Sequence, residues 1–183
     1  MTKINHLDNW LSEEQAIRTV LDAGVGPGVA QADQIAGKTG LEIMQGMLQG
    51  EMPYPSIAQT LDFLIVQVSL GRAVFQGTPG LAHLNPMGTV HGGWFATLLD
   101  SALGCSVHTR MAPGQGYTTA ELSVNIVRAL TPKITRVRAE GKVIHCGRQL
   151  ATAEARLLGA DGTLYAHATT TCLVFEITPQ SSL

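Results

Sequence analysis

The residues best suited to chemistry sit in one segment, Asn85-Pro-Met-Gly-Thr-Val-His91-Gly92-Gly93-Trp-Phe-Ala-Thr-Leu-Leu-Asp100. From His91 the apolar spacing is helical, and a helix that starts there has unpaired N–H groups in its first turn. Gly92 and Gly93 allow a ligand close to that backbone, and the helix dipole adds positive potential at the same end. These are the parts of an oxyanion hole for an acyl carbonyl, which makes Gly92 and Gly93 candidate substrate contacts. The same glycines also suit a merely flexible helix start. Asp100 lies among Leu98, Leu99, Ala102 and Leu103. Burial there would raise its pKa toward that of a general base working near neutrality, unless the carboxylate is satisfied by Thr97, the Gly104 N–H or a neighbouring strand.

Spacing constrains how the two could cooperate. Gly92 and Asp100 are eight residues apart, about 12 Å along a helix. Both cannot reach one carbonyl carbon and its attacking water. If both are catalytic, Gly92 of one subunit faces Asp100 of another across a two-fold interface.

The other candidates each have a plainer reading. Asn85 could bond the carbonyl or a water, or only make an Asn-Pro turn. His91 could polarise the acyl group or cap the helix. Thr119 could hold the nucleophilic water or simply suit a strand, and Glu121 could be a second carboxylate or, more plainly, a strand-face charge. Six of the twelve basic residues lie between Arg128 and Arg148. Arg136, Arg138, Glu140 and Lys142 alternate with period two and read as a solvated strand face. Arg128, Lys133 and Arg148 fall near strand ends and are candidates for phosphate contact. His83, His108, His145 and His167 have no metal-ligand spacing, so no metal is expected.

These residues need a frame. Ser12 with Gln15, and Thr39 with Glu42, are capping-box patterns. They predict one helix running to about Asp22 and another over LEIMQGMLQGE, so residues 1–56 read as a helical extension. From residue 57 to 183 the character changes. LDFLIVQVSL and GRAVFQGTP read as strands joined at Gly71, and a long helix follows from His91 to about Met111. Four β-branched segments come next, with a hairpin turn at Asp161-Gly162. Strands joined by short turns around one long apolar helix predict an α+β fold, an antiparallel sheet wrapped on that helix. Three look-alike motifs fail for want of a preceding strand or a required glycine. They are Gly37-Lys38-Thr39, the glycines of 24–28, and Gly104-Cys-Ser-Val-His108.

Composition narrows the partners. The chain has 183 residues, 45% hydrophobic and only 14% charged, with a formal net charge of −2. So little charge suggests surface buried between subunits, and the near-neutral balance gives no field for nucleic acid or an anionic membrane. No run of about 20 apolar residues predicts a membrane span. The N-terminal residues have no secretory pattern, and the three widely spaced cysteines show no disulfide framework. A reducing cytoplasm is therefore the expected location.

Taken in order, Asn85-Pro-x-Gly-x-Val-His-Gly-Gly, Leu-Leu-Asp100-Ser-Ala-x-Gly, Tyr-Thr-Thr119-x-Glu-Leu, Gly147-Arg148 and Asp161-Gly162 resemble the hotdog-fold thioesterases of the phenylacetate-pathway (PaaI) type. The resemblance spans about residues 57–176. It implies hydrolysis of acyl-CoA, a homodimer that often pairs into a tetramer, and no cofactor. By position, it implies that Gly92 N–H binds the thioester carbonyl with help from Asn85. Asp100 of the opposing subunit would act as general base or nucleophile. Thr119 stands where related enzymes place a water-positioning Ser or Thr, and His91 stands beside the acyl group. Two other readings are a hotdog hydratase or dehydratase, and a non-catalytic acyl-CoA binding module. The carboxylate lies nine residues after His91, as in the thioesterase arrangement, and an intact buried carboxylate is of no use to a pure binder.

Overall fold

The computed structural model describes residues 6–177. The chain opens with α1 (Leu7–Ala23), a short turn of helix α2 (Ala32–Ile35), α3 (Gly40–Leu48) and a second short turn α4 (Ile57–Thr60). Then come β1 (Phe63–Ser69), β2 (Arg72–Gly77), the long helix α5 (Gly92–His108), β3 (Gln115–Ile126), β4 (Val137–Cys146), β5 (Leu150–Gly159) and β6 (Leu164–Glu176). The six strands form one antiparallel sheet in the order β1-β2-β4-β5-β6-β3. It wraps α5, the hotdog architecture that the sequence predicts.

The wrap depends on small residues. Ala73, Ala139, Ala151, Ala153, Ala155, Ala166 and Ala168 cover the inner face, and all are buried. A Cβ on Gly141 would stand 2.1 Å from the Ala102 carbonyl oxygen, so β4 runs directly under the helix backbone. Into that shallow trough α5 inserts Phe95, Leu98, Leu99, Leu103 and Val107. Each such side chain contributes roughly 2 kcal/mol of burial.

One connection differs from the expected short turns. β3 is not beside β4 but at the far edge of the sheet, and residues 127–136 carry the chain back across the end of β6 and β5. Leu130 pins that crossover: it is fully buried, and its carbonyl accepts the Val90 N–H at 3.0 Å. β3 is thus left as a twelve-residue edge strand whose residues 118–121 and 125–126 are exposed.

The N-terminal helices fasten to this core. The Thr39–Glu42 capping box forms as predicted, with Thr39 N–H to the Glu42 carboxylate at 2.7 Å and Glu42 N–H to the Thr39 hydroxyl at 3.2 Å. The Ser12 box does not form. α1 begins at Leu7, five residues before Ser12, with Asp8 in its first turn. Trp10 anchors this earlier turn, because the Arg138 guanidinium lies 4.5 Å above its ring; tertiary contact outweighs the local signal.

The expected solvated face of β4 is also corrected. α1 lies across the outer face of β1, β2 and β4. There Leu21, Leu64, Val66 and Val74 make a second apolar cluster. Arg138 is 5% exposed and donates to Gln76 at 2.7 Å and to Glu13 at 2.6 Å. Arg136 pairs with Glu14. Only Glu140 and Lys142, beyond the reach of α1, keep a solvated character. Burial alone would raise the Glu14 carboxyl, but hydrogen bonds from Arg136, Arg18 and Gln76 outweigh it and hold the group below its ordinary range. A carboxyl depressed by folding contributes fully above the ordinary carboxylate range, about pH 4, and that stabilisation is lost as the pH falls from there through the depressed folded value. Thermal melts from pH 7 to pH 3 are therefore expected to fall more steeply for the wild type than for Glu14→Gln. Parallel curves would show that the pair adds nothing to stability.

Candidate active site

α5 provides the frame of the site. His91 is its N-cap, and the imidazole Nδ1 accepts the Gly93 N–H at 2.9 Å. The capping option for His91 is thus realised, and the Gly93 N–H is occupied. The Gly92 N–H has no acceptor among the described residues. A Cβ at Gly92 would meet only Ile126 Cδ1, at 3.4 Å, so this end of the helix lies beside the end of β3.

The loop before the helix is held by Asn85. Its Oδ1 accepts the N–H groups of Met87 (2.9 Å) and Thr89 (3.2 Å), and its Nδ2 donates to the Thr89 hydroxyl at 2.9 Å. The Asn-Pro turn is therefore present, and it sets where His91 and Gly92 begin the helix. Trp94 and Phe95 are core residues, 3% and 1% exposed. Trp94 stacks on His83 and donates to the Leu61 carbonyl at 2.8 Å.

Two turns further along, Asp100 emerges on a strip of α5 that the sheet leaves uncovered. It is half-buried, less enclosed than its neighbours Leu98, Leu99, Ala102 and Leu103, because it looks past the β3 edge. The Thr119 hydroxyl donates to Asp100 Oδ1 at 3.0 Å. A β-bulge explains the aim of Thr119. Thr119 pairs with Cys172 and Glu121 with Thr171, so Ala120 is an extra residue. The bulge lets Tyr117 and Thr119 face α5 and then returns Leu122 and Val124 to the same side. It turns Glu121 outward beside Thr171, which makes Glu121 a strand-face charge.

Sequence reasoning gave no role to Tyr117, two residues before Thr119 and hence on the same face. Its ring lies against the backbone of α5 at Gly104, where a Cβ would stand 3.1 Å from it. Burial, with nearby negative charge that includes Asp100, keeps the phenol well above its ordinary pKa. The thiols nearby are held protonated for the same reasons. Burial and then Asp100 push Cys105 up to about 12, and Cys172 is raised chiefly by burial. Thiolate chemistry is thereby disfavoured, and the carboxylate stands among neutral groups.

The structure brings Asp100 and Thr119 together but keeps Gly92 apart, about 12 Å away on the same helix. Arg128 and Lys133 lie on the 127–136 crossover, at the Gly92 end of the fold. Arg148 lies on the β4–β5 turn at the other end, and the ten-residue strand β4 separates it from them by about 30 Å. Within one chain the three cations are not one phosphate cluster. Among the described residues, no group of His, Cys, Asp and Glu could hold a metal ion, and no helix is long and apolar enough to cross a membrane.

A profile described as the thioesterase superfamily matches residues 87–166, the stretch that holds Gly92, Asp100 and Thr119. The matched stretch is of the thioesterase-superfamily type, and it lies within the hotdog core. Solved structures agree. A phenylacetic acid degradation-related protein from Ralstonia eutropha JMP134 is 29% identical over 72% of this chain and 98% of its own, with a TM-score of 0.66. A thioesterase family protein from Silicibacter pomeroyi is 26% identical over 66% and 90%, with a TM-score of 0.61. A mutant of the phenylacetic acid degradation protein PaaI from Thermus thermophilus is 26% identical over 64% and 96%, with a TM-score of 0.58. No curated protein matches the chain. Each of these three hotdog relatives is covered almost whole while over a quarter of this chain has no counterpart in it, so the thioesterase-superfamily core carries additional structure here.

Proposed function

We propose that the protein is an acyl-CoA thioesterase of the PaaI type, releasing free acid and CoA. The observation that carries this reading is the Asp100 carboxylate, fixed through one oxygen by Thr119 on the uncovered strip of α5. Its other oxygen is available to a water. Asp100 takes a proton from that water as it adds to the thioester carbonyl. The tetrahedral oxyanion rests on the Gly92 N–H at the positive end of α5, and the CoA thiolate departs and is protonated. Direct attack by Asp100, through an anhydride that water then opens, uses the same residues. A hydratase would need a histidine facing the carboxylate, whereas the His91 ring nitrogen is spent on Gly93.

The Gly92 N–H comes from a second subunit. The edge strand β3 has Gly92 beside its Ile126 end and Asp100 beside its Thr119 end. Antiparallel pairing of two β3 strands about their middle puts the Ile126 end of one copy by the Thr119 end of the other. It covers an otherwise open edge and builds two equivalent sites. Arg128 and Lys133 then hold CoA phosphates at one mouth, and Arg148 approaches from the partner. A homodimer, or a dimer of dimers, working in the cytoplasm fits this arrangement. Residues 57–183 form the working unit, and 1–56 are an appendage to it.

Thiol release from a panel of acyl-CoAs tests the reading, with wild type compared with Asp100→Ala. Turnover that vanishes in a folded, normally assembled variant is expected. Binding of acyl-CoA without turnover in either protein would make this a binding module instead.

A further inference from the structure

Resting on that thioesterase reading, we propose that the groove between the N-terminal helices and the C-terminal end of α5 takes the acyl tail, so that residues of the extension select chain length. The groove encloses about 330 Å³, within the range of small-molecule sites. Its walls include Ile35, Ala36 and Ile43 from the extension, and His108, Ala112 and Ile177 from the hotdog core. Among the described residues no carboxylate lines it, and the one ammonium, Lys38, is exposed. Burial holds the His108 imidazole toward its neutral form. Such a lining suits a hydrocarbon and offers little to a nucleotide or a sugar.

The groove is in line with the carboxylate. Asp100, Gly104 and His108 succeed one another a turn apart along α5. Thr119 and Tyr117 flank the same line on β3: Thr119 bonds Asp100, and the Tyr117 ring lies against Gly104 and 5.4 Å from the His108 ring. A tail attached to a carbonyl at Asp100 would therefore run over Tyr117 into the groove. From Asp100 to His108 is about 12 Å, the reach of roughly ten carbons in an extended chain.

The wall from the extension is firmly placed. Gly40 N–H donates to the Met111 carbonyl at 3.0 Å, and a Cβ at Gly40 would stand 1.7 Å from the His108 carbonyl oxygen. Only glycine allows α3 to start so close to the end of α5. Ile35, Ala36 and Ile43 also precede the segment matched by the superfamily profile, which begins at residue 87. The selectivity they confer would belong to this chain's own extension.

Filling the groove from either wall tests this. Ala36→Trp and Ala112→Trp substitute exposed alanines on opposite walls, away from Asp100, Thr119 and Gly92. Two readouts apply: kcat/KM for butanoyl-, octanoyl- and dodecanoyl-CoA, and calorimetric titration with free dodecanoate. The wild type is expected to favour the longer chains. Each variant should lose about tenfold or more on dodecanoyl-CoA while keeping butanoyl-CoA turnover, and dodecanoate should bind about tenfold more weakly. Dodecanoate binding unchanged in both variants, or losses equal at every chain length, would overturn the assignment. If the wild type hydrolyses no acyl-CoA, the thioesterase reading fails. The dodecanoate titration then still decides the groove: weaker binding in the variants supports a hydrocarbon site there, and unchanged binding refutes it.

Discussion

Asp100→Asn is expected to lower kcat for thiol release by about 10³-fold, the scale of a lost general base. The substitution keeps the shape of the side chain, and the amide oxygen can still accept the Thr119 hydroxyl. It leaves the packing of Leu98, Leu99 and Leu103 untouched, since these point into the sheet. Asp100 is only half-buried, so neutralising it neither strands a charge nor opens a cavity. The melting temperature should accordingly change little, and KM should stay near the wild-type value, because in the proposed reaction the carboxylate drives the chemical step and does not hold the substrate in its ground state. The measurement is steady-state hydrolysis of the best acyl-CoA with a thiol-reactive chromophore, alongside a melt and a sizing run. Wild-type kcat in the folded variant would remove Asp100 from the chemistry. A fall in kcat matched by a fall in stability would assign it a structural role.

The fold was legible in the sequence because its strongest signals are local. Thr39 with Glu42, the Gly71 turn (φ +75°) and the Asp161-Gly162 turn (Gly162 φ +78°) each specify backbone geometry within a few residues. What escaped was set by contacts distant in sequence. Ser12 was the wrong helix start because Trp10 and Glu14 are held by Arg138 and Arg136, more than a hundred residues away. The same pairs turned an apparently solvated arginine face into a covered one. One clue was present: Phe63-Leu64-Ile65-Val66 has no polar alternation, the pattern of a strand covered on both faces. All four are buried, Phe63 and Ile65 toward α5, Leu64 and Val66 toward α1. At the site, residue identity pointed to Asp100 and Thr119, but the bulge at Ala120 that aims Thr119 left no signature in residue type. The phosphate candidates divided because Lys133 and Arg148 are near in sequence yet stand at opposite ends of β4.

Gly92→Pro isolates the proposed oxyanion donor. Gly92 is the first residue of α5, the one helical position where proline is well tolerated, since its N–H has no intrahelical partner. His91, the preceding residue, already has φ −63° and ψ 139°, as a residue before proline requires. A Cβ there meets Ile126 only at ordinary contact distance. The substitution thus removes one N–H and leaves the helix start in place, while Gly92→Ala adds the same Cβ and keeps the N–H. Loss of an oxyanion donor is expected to cost kcat about 10²–10³-fold in the proline variant, with the alanine variant close to wild type. The two damaged proteins then report which subunit supplies which group. If Gly92 and Asp100 act across the interface, a heterodimer of Gly92→Pro with Asp100→Asn holds one intact site and one doubly damaged site. Co-expression in equal amounts makes half of the dimers mixed, so activity should return to about one quarter of wild type. If both groups act within one chain, no mixture contains an intact site and activity stays at the level of the parents. The helix geometry favours recovery: eight residues of α-helix cannot bring Gly92 and Asp100 of the same chain to one carbonyl carbon.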